Sequence, residues 1–499
     1  MACLAVHFRF RYLRRFFAVV FLPFLFSGTV RLAPDVPNVL FVIADDWSWL
    51  HAGAYGDEVI RTPNIDRVAR EGVVFDNAYV AAPSCTPSRA SIVTGQWFWR
   101  LGAGANLYGP LPPEHPVYPD LLEHGGYHVG FTRKGWAPGN LGERNRNPAG
   151  DRYETFDDFL VHRPDDAPFS FWFGTHDPHR AYELGSGAAA GIPVGDLEVP
   201  AIFPDSPEVR GDIADYYFEV ERIDRELGGM LATLEDVGEL DRTMVVITSD
   251  NGMPFPRAKS NLYDMGVRVP LIIRWPEHVP AGRRISDFVS LTDLAPTFLE
   301  VARVAVPDVM TGRSLMDLLT TEFSGRVDST RSMTFFGKER HVPSQEAPDT
   351  GGYPMRAVRT DEYLYVRNFR PDRWPVGTPN HELSFIQPAW YGDTDGSPTK
   401  HYMIDHRDDD ATHRLLFELA FEKRPGEELF DLRKDPDQLH NVAMDPAYTD
   451  TKRTLFNTLM GTLYATGDPR VRGLGDFFDM QPYTGGVVRV RETVGRLDR

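Results

Sequence analysis

The run NVLFVIADD, residues 38–46, is a block of mostly apolar side chains that ends in two aspartates. Continuous apolar runs of this length are typical of strands in parallel sheets that are covered on both faces. A second such run, TMVVIT at 243–248, follows a segment with apolar residues at helical spacing, 213–237. Strands that alternate with helices predict an α/β fold with a large, mostly parallel sheet flanked by helices.

The pattern of the sequence changes after about residue 330. Residues 355–359 and 363–368 are two short β-prone runs that flank a three-residue turn, as in an antiparallel hairpin. We therefore predict a larger domain over residues 36–330 and a smaller C-terminal α+β domain with an antiparallel sheet over 331–499.

The first 31 residues have the layout of a secretory signal peptide. Arginines precede an apolar stretch, residues 16–26, and small residues follow it. The stretch is too short to span a bilayer comfortably, although a signal-anchor is the alternative. We expect residues 1–31 to be removed, the protein to be periplasmic or secreted, and no stable membrane insertion after cleavage.

The charge of the chain argues against nucleic acid as a partner. Loss of residues 1–31 would remove five arginines and no acid, which moves the formal net charge from −18 to −23. An acidic protein of this kind does not attract a polyanion. An anionic substrate must be held by a local cluster of cations or by a metal.

The chain has two cysteines, and Cys3 lies in the predicted leader. The mature protein would keep Cys85 alone, so it could form no internal disulfide. Cys85 stands in the stretch SCTPSRASIVTG, residues 84–95. A buried, inert thiol is one explanation, and a chemical role is the other.

Four oxygen-bearing side chains follow two of the predicted strands. Asp45 and Asp46 end the first strand, and Asp250 and Asn251 follow the strand at 243–248. A parallel sheet can bring these groups to one edge, where Ca²⁺ or Mg²⁺ would find the ligands that it prefers. Each acid alone is more typical of a helix cap or turn. Together, however, adjacent carboxylates repel one another unless they are neutralised, which favours a metal.

Two histidines, His176 and His179, stand in the segment THDPHR. Neither has a cysteine or a further histidine at zinc-ligand spacing, so we interpret them as hydrogen-bonding or proton-transfer groups. A pair of histidines in a surface loop would look the same.

The stretch CTPSR at 85–89 with Thr94 and Gly95 resembles the C-x-P-S-R-x-x-x-x-T-G signature of the type I sulfatases. The resemblance covers nearly the whole mature chain, through the two aspartates after the first strand, HDPHR, SDNG and RPGEELFDLRKDPDQLHNVA at 424–443. The segments HDPHR, SDNGMPFPRAKSNLY at 249–263 and YPMRAVR at 353–359 are most similar to the heparan N-sulfatase (sulfamidase) branch.

The resemblance implies an alkaline-phosphatase-like fold and a hydrolase that releases sulfate from sulfated sugars. It implies that a maturation enzyme, either formylglycine-generating or anaerobic sulfatase-maturing, oxidises Cys85 to formylglycine (3-oxoalanine). It makes Asp45, Asp46, Asp250 and Asn251 the ligands of one Ca²⁺, with position 85 completing the site.

The resemblance also implies that Arg89, Lys134, His176 and Lys259 hold the sulfate and assist proton transfer. In the resemblance, Lys259 stands where the sulfamidases carry arginine, and it lacks the planar fork of that residue. Two residues after Lys134, where the family usually has a histidine, this chain has Trp136. The base that helps to break down the sulfated intermediate is therefore not identified by the resemblance.

Several alternatives remain at this stage. The substrate could carry an O-sulfate rather than an N-sulfate, and the chain could be a phosphate or phosphonate ester hydrolase of the alkaline-phosphatase-like group. It could also be a non-catalytic binder of sulfated glycans. We expect substrate choice to depend on loops such as 337–341 and 371–377, the second of which contains Trp374.

Overall fold

A computed structural model describes residues 36–165, 167–386 and 389–485, and the predicted leader lies outside these residues. The strands are β1 Asn38–Ala44, β2 Val73–Tyr79, β3 His128–Arg133, β4 Asp151–Arg152, β5 Phe169–Gly174, β6 Thr243–Ser249, β7 Leu271–Arg274, β8 Arg283–Ser290, β9 Met333–Lys338, β10 Met355–Thr360, β11 Tyr363–Asn368 and β12 Glu427–Asp431.

Helices alternate with the strands of the first part of the chain. The α-helices are α1 Pro63–Arg70, α2 Cys85–Thr94, α3 Tyr118–His124, α4 Phe156–Val161, α5 Ser186–Ala189, α6 Pro207–Asp236, α7 Asp264–Val267, α8 Leu294–Val301, α9 Met316–Thr320, α10 Pro398–Asp405, α11 Ala411–Phe421, α12 Thr449–Ala465 and α13 Asp476–Met480. In the described part of the chain, no helix combines the length and apolar composition needed to cross a membrane.

The larger sheet has eight strands in the order β4-β3-β5-β1-β6-β7-β2-β8. β7 runs antiparallel to both of its neighbours, and the other pairings are parallel. This arrangement confirms the predicted mostly parallel sheet. It also places β1 and β6 side by side at the centre, with Ala44 in register with Ser249.

Both faces of this sheet are buried, as the unbroken apolar run of β1 predicts. Val39, Phe41 and Ile43 belong to a core that includes residues of α3 and α8. Leu40 and Val42 point the other way and belong to a core that includes residues of α1 and α6. Because no residue of β1 faces water, the functional groups can gather only at the ends of the strands.

The long helix α6 begins at Pro207, about six residues before the apolar spacing suggested. Ser206 is its N-cap and accepts a hydrogen bond from the Val209 amide, while Pro207 fills the first helical position. Both residues are typical of helix starts. The first turn was missed because cap residues, rather than periodic apolar ones, define it.

A second sheet is antiparallel and has the order β12-β11-β10-β9. The predicted hairpin is present as β10 and β11, in which Arg359 pairs with Leu364. This sheet begins at Met333, close to the predicted boundary after residue 330. The boundary itself stays a prediction, because residues of both sheets, such as Phe288 and Phe336, contribute to one apolar core.

Candidate active site

The carboxyl ends of β1 and β6 form a floor of four buried oxygen-bearing side chains, Asp45, Asp46, Asp250 and Asn251. The parallel pairing of the two strands brings these side chains together, and the Asp46 amide donates to Asp250 Oδ1 at 3.1 Å. The backbone of Asp46 has a positive φ of 80°, which is uncommon for residues other than glycine. Gly252 permits the following turn, since a Cβ there would lie 1.8 Å from the Met265 carbonyl oxygen.

Cys85 is the first residue of α2 and lies against this floor. Its Sγ donates to Asp45 Oδ1 at 3.5 Å, and the side chain is buried. One ligand atom from each of Asp45, Asp46, Cys85 and Asp250 lies within 4.8 Å of the others. Oxygen ligands at this spacing match what a hard divalent cation requires.

The donor set of the floor fits a cation. Asn251 Nδ2 donates to Asp46 Oδ1 at 2.6 Å, whereas Asn251 Oδ1 is buried and has no hydrogen-bond partner among the described residues. Burial raises the pKa of Asp46, and the charges of Asp45 and Asp250 add to this effect against the opposing charge of Lys259. An oxygen without a partner beside crowded carboxylates is the environment that a bound Ca²⁺ would satisfy.

Lys134 follows β3 and reaches the floor from one side. Its Nζ donates to Asp45 Oδ2 at 2.5 Å and lies 3.9 Å from Asp250 Oδ2. Burial opposes ionisation of Asp45, but Lys134 and its neighbouring cations outweigh burial and lower the pKa of that carboxyl. Gly174 allows the backbone at the end of β5 to lie close to the backbone of Lys134, because a Cβ there would lie 1.7 Å from the Lys134 carbonyl oxygen.

Lys259 approaches the floor from the other side. Its Nζ donates to Asp46 Oδ2 at 2.6 Å and to Asp395 Oδ2 at 3.1 Å. The side chain is only 4% exposed, so one buried ammonium is shared between two carboxylates. Lys259 thus links the floor to Asp395, a residue that the sequence analysis did not single out.

Arg89 lies behind the floor rather than in the open cavity. Its Nε donates to Asp250 Oδ2 at 2.6 Å, and Nη1 donates to the carbonyl oxygens of Lys134 and Gly135 at 2.8 and 2.9 Å. The side chain is fully buried. These contacts orient Asp250 and the end of β3, and the predicted contact between Arg89 and the sulfate stays a prediction.

A cavity of about 800 Å³ opens above the floor. It is lined by residues that include Cys85, Lys134, His176, Lys259, His341 and Asp395. The structure thus brings three of the four predicted cations and proton-transfer groups to the same space as Cys85. Trp374 does not line this cavity: it is half-buried, and Lys423 Nζ lies 4.9 Å from the centre of its ring.

Four histidines line the cavity, namely His176, His179, His341 and His401. His176 is exposed, and partial desolvation lowers its pKa. His179 Nδ1 donates to the Arg180 carbonyl oxygen at 2.6 Å, while its Nε2 lies 3.8 Å from Asp46 Oδ2. His341 Nδ1 lies 2.8 Å from Ser84 Oγ, and burial lowers its pKa to about 4.

Trp136 faces the protein core and does not line the cavity. Its side chain is 1% exposed and belongs to the core on the α3 and α8 side of the sheet. Its backbone amide donates to Asn147 Oδ1 at 3.0 Å. The side chain at this position therefore does not act on a molecule in the cavity, whereas His176, His179 and His341 lie where they can.

Two family models match the chain: Sulfatase over residues 37–304, and N-sulphoglucosamine sulphohydrolase, C-terminal, over residues 257–375. Among curated proteins, human N-sulphoglucosamine sulphohydrolase is 30% identical over 505 aligned residues, which cover 90% of this chain and 93% of the human protein. The Sulfatase match spans Cys85 and the whole floor.

Solved structures confirm the fold. A protein in complex with its substrate D-glucosamine-2-N,6-O-disulfate has a TM-score of 0.61 and 21% identity, covering 87% of this chain and 98% of that one. Phosphonate monoester hydrolase from Silicibacter pomeroyi has a TM-score of 0.64 and 17% identity, covering 87% and 96%. At these identities the likeness concerns the fold alone, which is the predicted alkaline-phosphatase-like one.

Proposed function

We propose that this chain, which belongs to the sulfatase family, removes the N-sulfate group from an N-sulfated amino sugar. Family membership makes it a hydrolase of sulfate esters or sulfamates. The observation that carries the choice of N-sulfate is the match of the N-sulphoglucosamine sulphohydrolase C-terminal model to residues 257–375. That segment supplies Lys259 and His341 to the cavity.

Residue 85 is proposed to act as formylglycine. In its unmodified form, burial raises the pKa of the Cys85 thiol far above its usual range, and Asp250 and Asp45 add to this effect against Lys134. A thiol held in its protonated form is a poor nucleophile. The aldehyde hydrate of formylglycine would supply an oxygen nucleophile together with a second hydroxyl that permits release of sulfate.

The floor is proposed to hold one Ca²⁺ through Asp45, Asp46, Asp250 and Asn251, with residue 85 as a further ligand. When bound, the ion would offset the negative charge that develops on the sulfuryl oxygens and acidify the nucleophile. Arg89 contributes by fixing Asp250, through the 2.6 Å contact of its Nε with Oδ2. Support for the ion comes from Asn251 Oδ1, which is buried and accepts no hydrogen bond from any described residue.

The remaining polar groups have separate tasks in this mechanism. Lys134 and Lys259 flank the floor on two sides and bind the sulfuryl oxygens. His176 is the exposed group at the cavity wall, and it or Lys259 protonates the departing nitrogen or oxygen. In this arrangement the two lysines bind the sulfate group, and the walls of the cavity contact the sugar.

The position of Lys259 argues against a two-metal phosphatase. Asp46, His179 and Asp395 each place a ligand atom within 4.8 Å of the others, as a second metal would require. The ammonium of Lys259 donates to both carboxylates of this group. A lysine therefore supplies the positive charge that the second metal would otherwise provide.

The proposal includes a maturation partner and export. Conversion of Cys85 requires a formylglycine-generating or anaerobic sulfatase-maturing enzyme that reads the segment CTPSR. Export to the periplasm or medium is supported by the basic and apolar pattern of residues 1–31. Mass spectrometry of the N-terminus of secreted protein tests this proposal, and retention of residues 1–31 would contradict it.

The test of the proposed function is sulfate release by the matured protein with Ca²⁺. N-sulfoglucosamine is compared with 6-O-sulfated N-acetylglucosamine, each as a monosaccharide. We expect a preference for the N-sulfated sugar. Release from the O-sulfated sugar alone would keep the sulfatase chemistry and refute the choice of N-sulfate, and binding without release would indicate a sulfated-glycan binder.

A further inference from the structure

Asp395 is an unexpected group for a cavity that receives an anion. It lines the cavity, its side chain is 29% exposed, and its Oδ2 accepts from Lys259 Nζ at 3.1 Å. A carboxylate at this place repels the sulfate group of any substrate. It must therefore face a part of the substrate that is neutral or positively charged.

Lys259 is the cation that hydrogen-bonds to Asp395, and His179, His341 and Lys400 also act on this carboxylate through their charge. The ammonium of Lys259 also donates to Asp46 Oδ2 at 2.6 Å, so one positive charge serves two carboxylates. Among the described residues, the hydrogen bond made to Asp395 falls on Oδ2. Oδ1 is thus available to a hydrogen-bond donor in the cavity.

The loop that carries Asp395, residues 389–397, is held by two buried lysines. Lys400 Nζ donates to the carbonyl oxygens of Trp390, Tyr391 and Thr394 at 2.7, 3.2 and 2.8 Å. These bonds use all three donors of the ammonium. Lys338 Nζ donates to Asp393 Oδ2 at 2.7 Å, two residues before Asp395.

Burying Lys400 to hold this loop costs folding free energy, which indicates that the position of the loop is important for function. Lys400 is buried and donates to backbone carbonyl oxygens, and burial lowers its pKa to about 8 against the opposing charges of Asp395 and Asp393. Burying an ammonium whose hydrogen bonds go to carbonyl oxygens costs free energy that an exposed loop would not require. The loop is thereby fixed before the substrate arrives, and Asp395 is fixed with it.

We propose that Asp395 is a specificity-determining residue that selects N-sulfated over O-sulfated sugars by receiving the amine of the product. This inference rests on the proposed function. Hydrolysis of a sulfamate, R–NH–SO₃⁻ plus H₂O, breaks the S–N bond and forms an S–O bond, giving R–NH₃⁺ and SO₄²⁻. Hydrolysis of a sulfate ester gives a neutral alcohol instead, so only the N-sulfated substrate leaves a cation for Asp395.

The experiment compares Asp395→Asn with the wild-type matured protein on both monosaccharides. We expect kcat/KM for N-sulfoglucosamine to fall about tenfold or more relative to that for the O-sulfated sugar, the loss typical of a hydrogen bond to a charged group. Asp395→Glu keeps the charge and should restore most of the preference. Asp450→Asn, at a side chain that is 86% exposed on α12, removes the same charge elsewhere and should change neither rate.

A binding measurement gives a readout besides turnover. In the Cys85→Ala background with Ca²⁺, protonated glucosamine should bind more tightly than N-acetylglucosamine, and Asp395→Asn should abolish this difference. A binding difference that survives Asp395→Asn would overturn the proposal even if the variant is less active.

The outcomes separate this inference from the proposed function. If the wild-type protein does not release sulfate from N-sulfoglucosamine, the proposed function fails. If the wild-type protein does release it, but Asp395→Asn lowers the rates for both sugars equally, the function stands. Asp395 would then merely position Lys259, and the specificity role would be refuted.

Discussion

The floor of the cavity and the loop 389–397 reach the same space by different routes. The floor is built where two neighbouring parallel strands end, so Asp45, Asp46, Asp250 and Asn251 meet because β1 and β6 pair. The loop is held in place by side chains, chiefly Lys400 and Lys338. Backbone topology therefore positions the proposed metal ligands, whereas side-chain contacts between distant segments position the loop proposed to select the substrate.

The largest expected effect comes from residue 85. Cys85→Ala removes the precursor of the nucleophile, so sulfate release should fall to the uncatalysed background. Residue 85 is one of five proposed ligands and the four in the floor remain, so Ca²⁺ should still bind, with a modest loss of affinity, and the melting temperature should change little. Isothermal titration with Ca²⁺ and thermal unfolding provide the control, and substantial sulfate release by this variant would refute the mechanism.

Substitution in the floor should affect metal and rate together. Asp46→Asn removes a charged ligand, so Ca²⁺ affinity should drop and sulfate release should fall by about 100-fold or more at limiting Ca²⁺. Metal content after dialysis measures the change in Ca²⁺ affinity, and sulfate release across a Ca²⁺ titration measures the change in rate. Asp450→Asn is the matched control, and an Asp46→Asn variant with unchanged metal content would exclude Asp46 as a ligand.

Substitution in the anchor of the loop should separate binding from chemistry. Lys400→Met removes three hydrogen bonds from Trp390, Tyr391 and Thr394, so the loop should lose its fixed position. We expect KM to rise about tenfold, with a smaller change in kcat and unchanged Ca²⁺ content. Lys434→Met, whose side chain is 73% exposed, serves as the control. A fall in kcat and metal content without a rise in KM would show that the loop and floor are not separable.

The smallest effect on the rate is expected at Trp136. Because its side chain packs in the core and not in the cavity, Trp136→His should not create an additional base. The substitution leaves a space in the core, so the protein should lose about 3 kcal/mol of unfolding free energy. Denaturant unfolding measures the loss of stability, and steady-state kinetics measure kcat. A rise in kcat would show that the side chain at position 136 does reach the substrate.

Sequence reasoning succeeded where local pattern and strand topology decide the structure. The apolar runs of β1 and β6, the acids that follow them and the hairpin of β10 and β11 are all present as predicted. Lys134 and Cys85 meet the floor because each stands directly at the end of a strand or the start of a helix. These positions follow from short segments of chain.

The wall of the cavity was harder to predict. Asp395 and Lys259 are 136 residues apart, and no periodic pattern in residues 389–397 predicts that this loop lines the cavity. His341 lies in the segment 337–341 expected to affect substrate choice, but its contact with Ser84 needs the second sheet to dock on the first. Segment 371–377 was expected to act in the same way, yet Trp374 lies away from the cavity.

The central claim is that residue 85 becomes formylglycine and that this group performs the hydrolysis. The most direct test measures sulfate release across preparations that differ in the converted fraction of residue 85, with that fraction determined by mass spectrometry of the peptide. We expect activity to rise in proportion to the formylglycine content, along a line through the origin. Full activity in a preparation whose residue 85 is an unmodified thiol would contradict the claim.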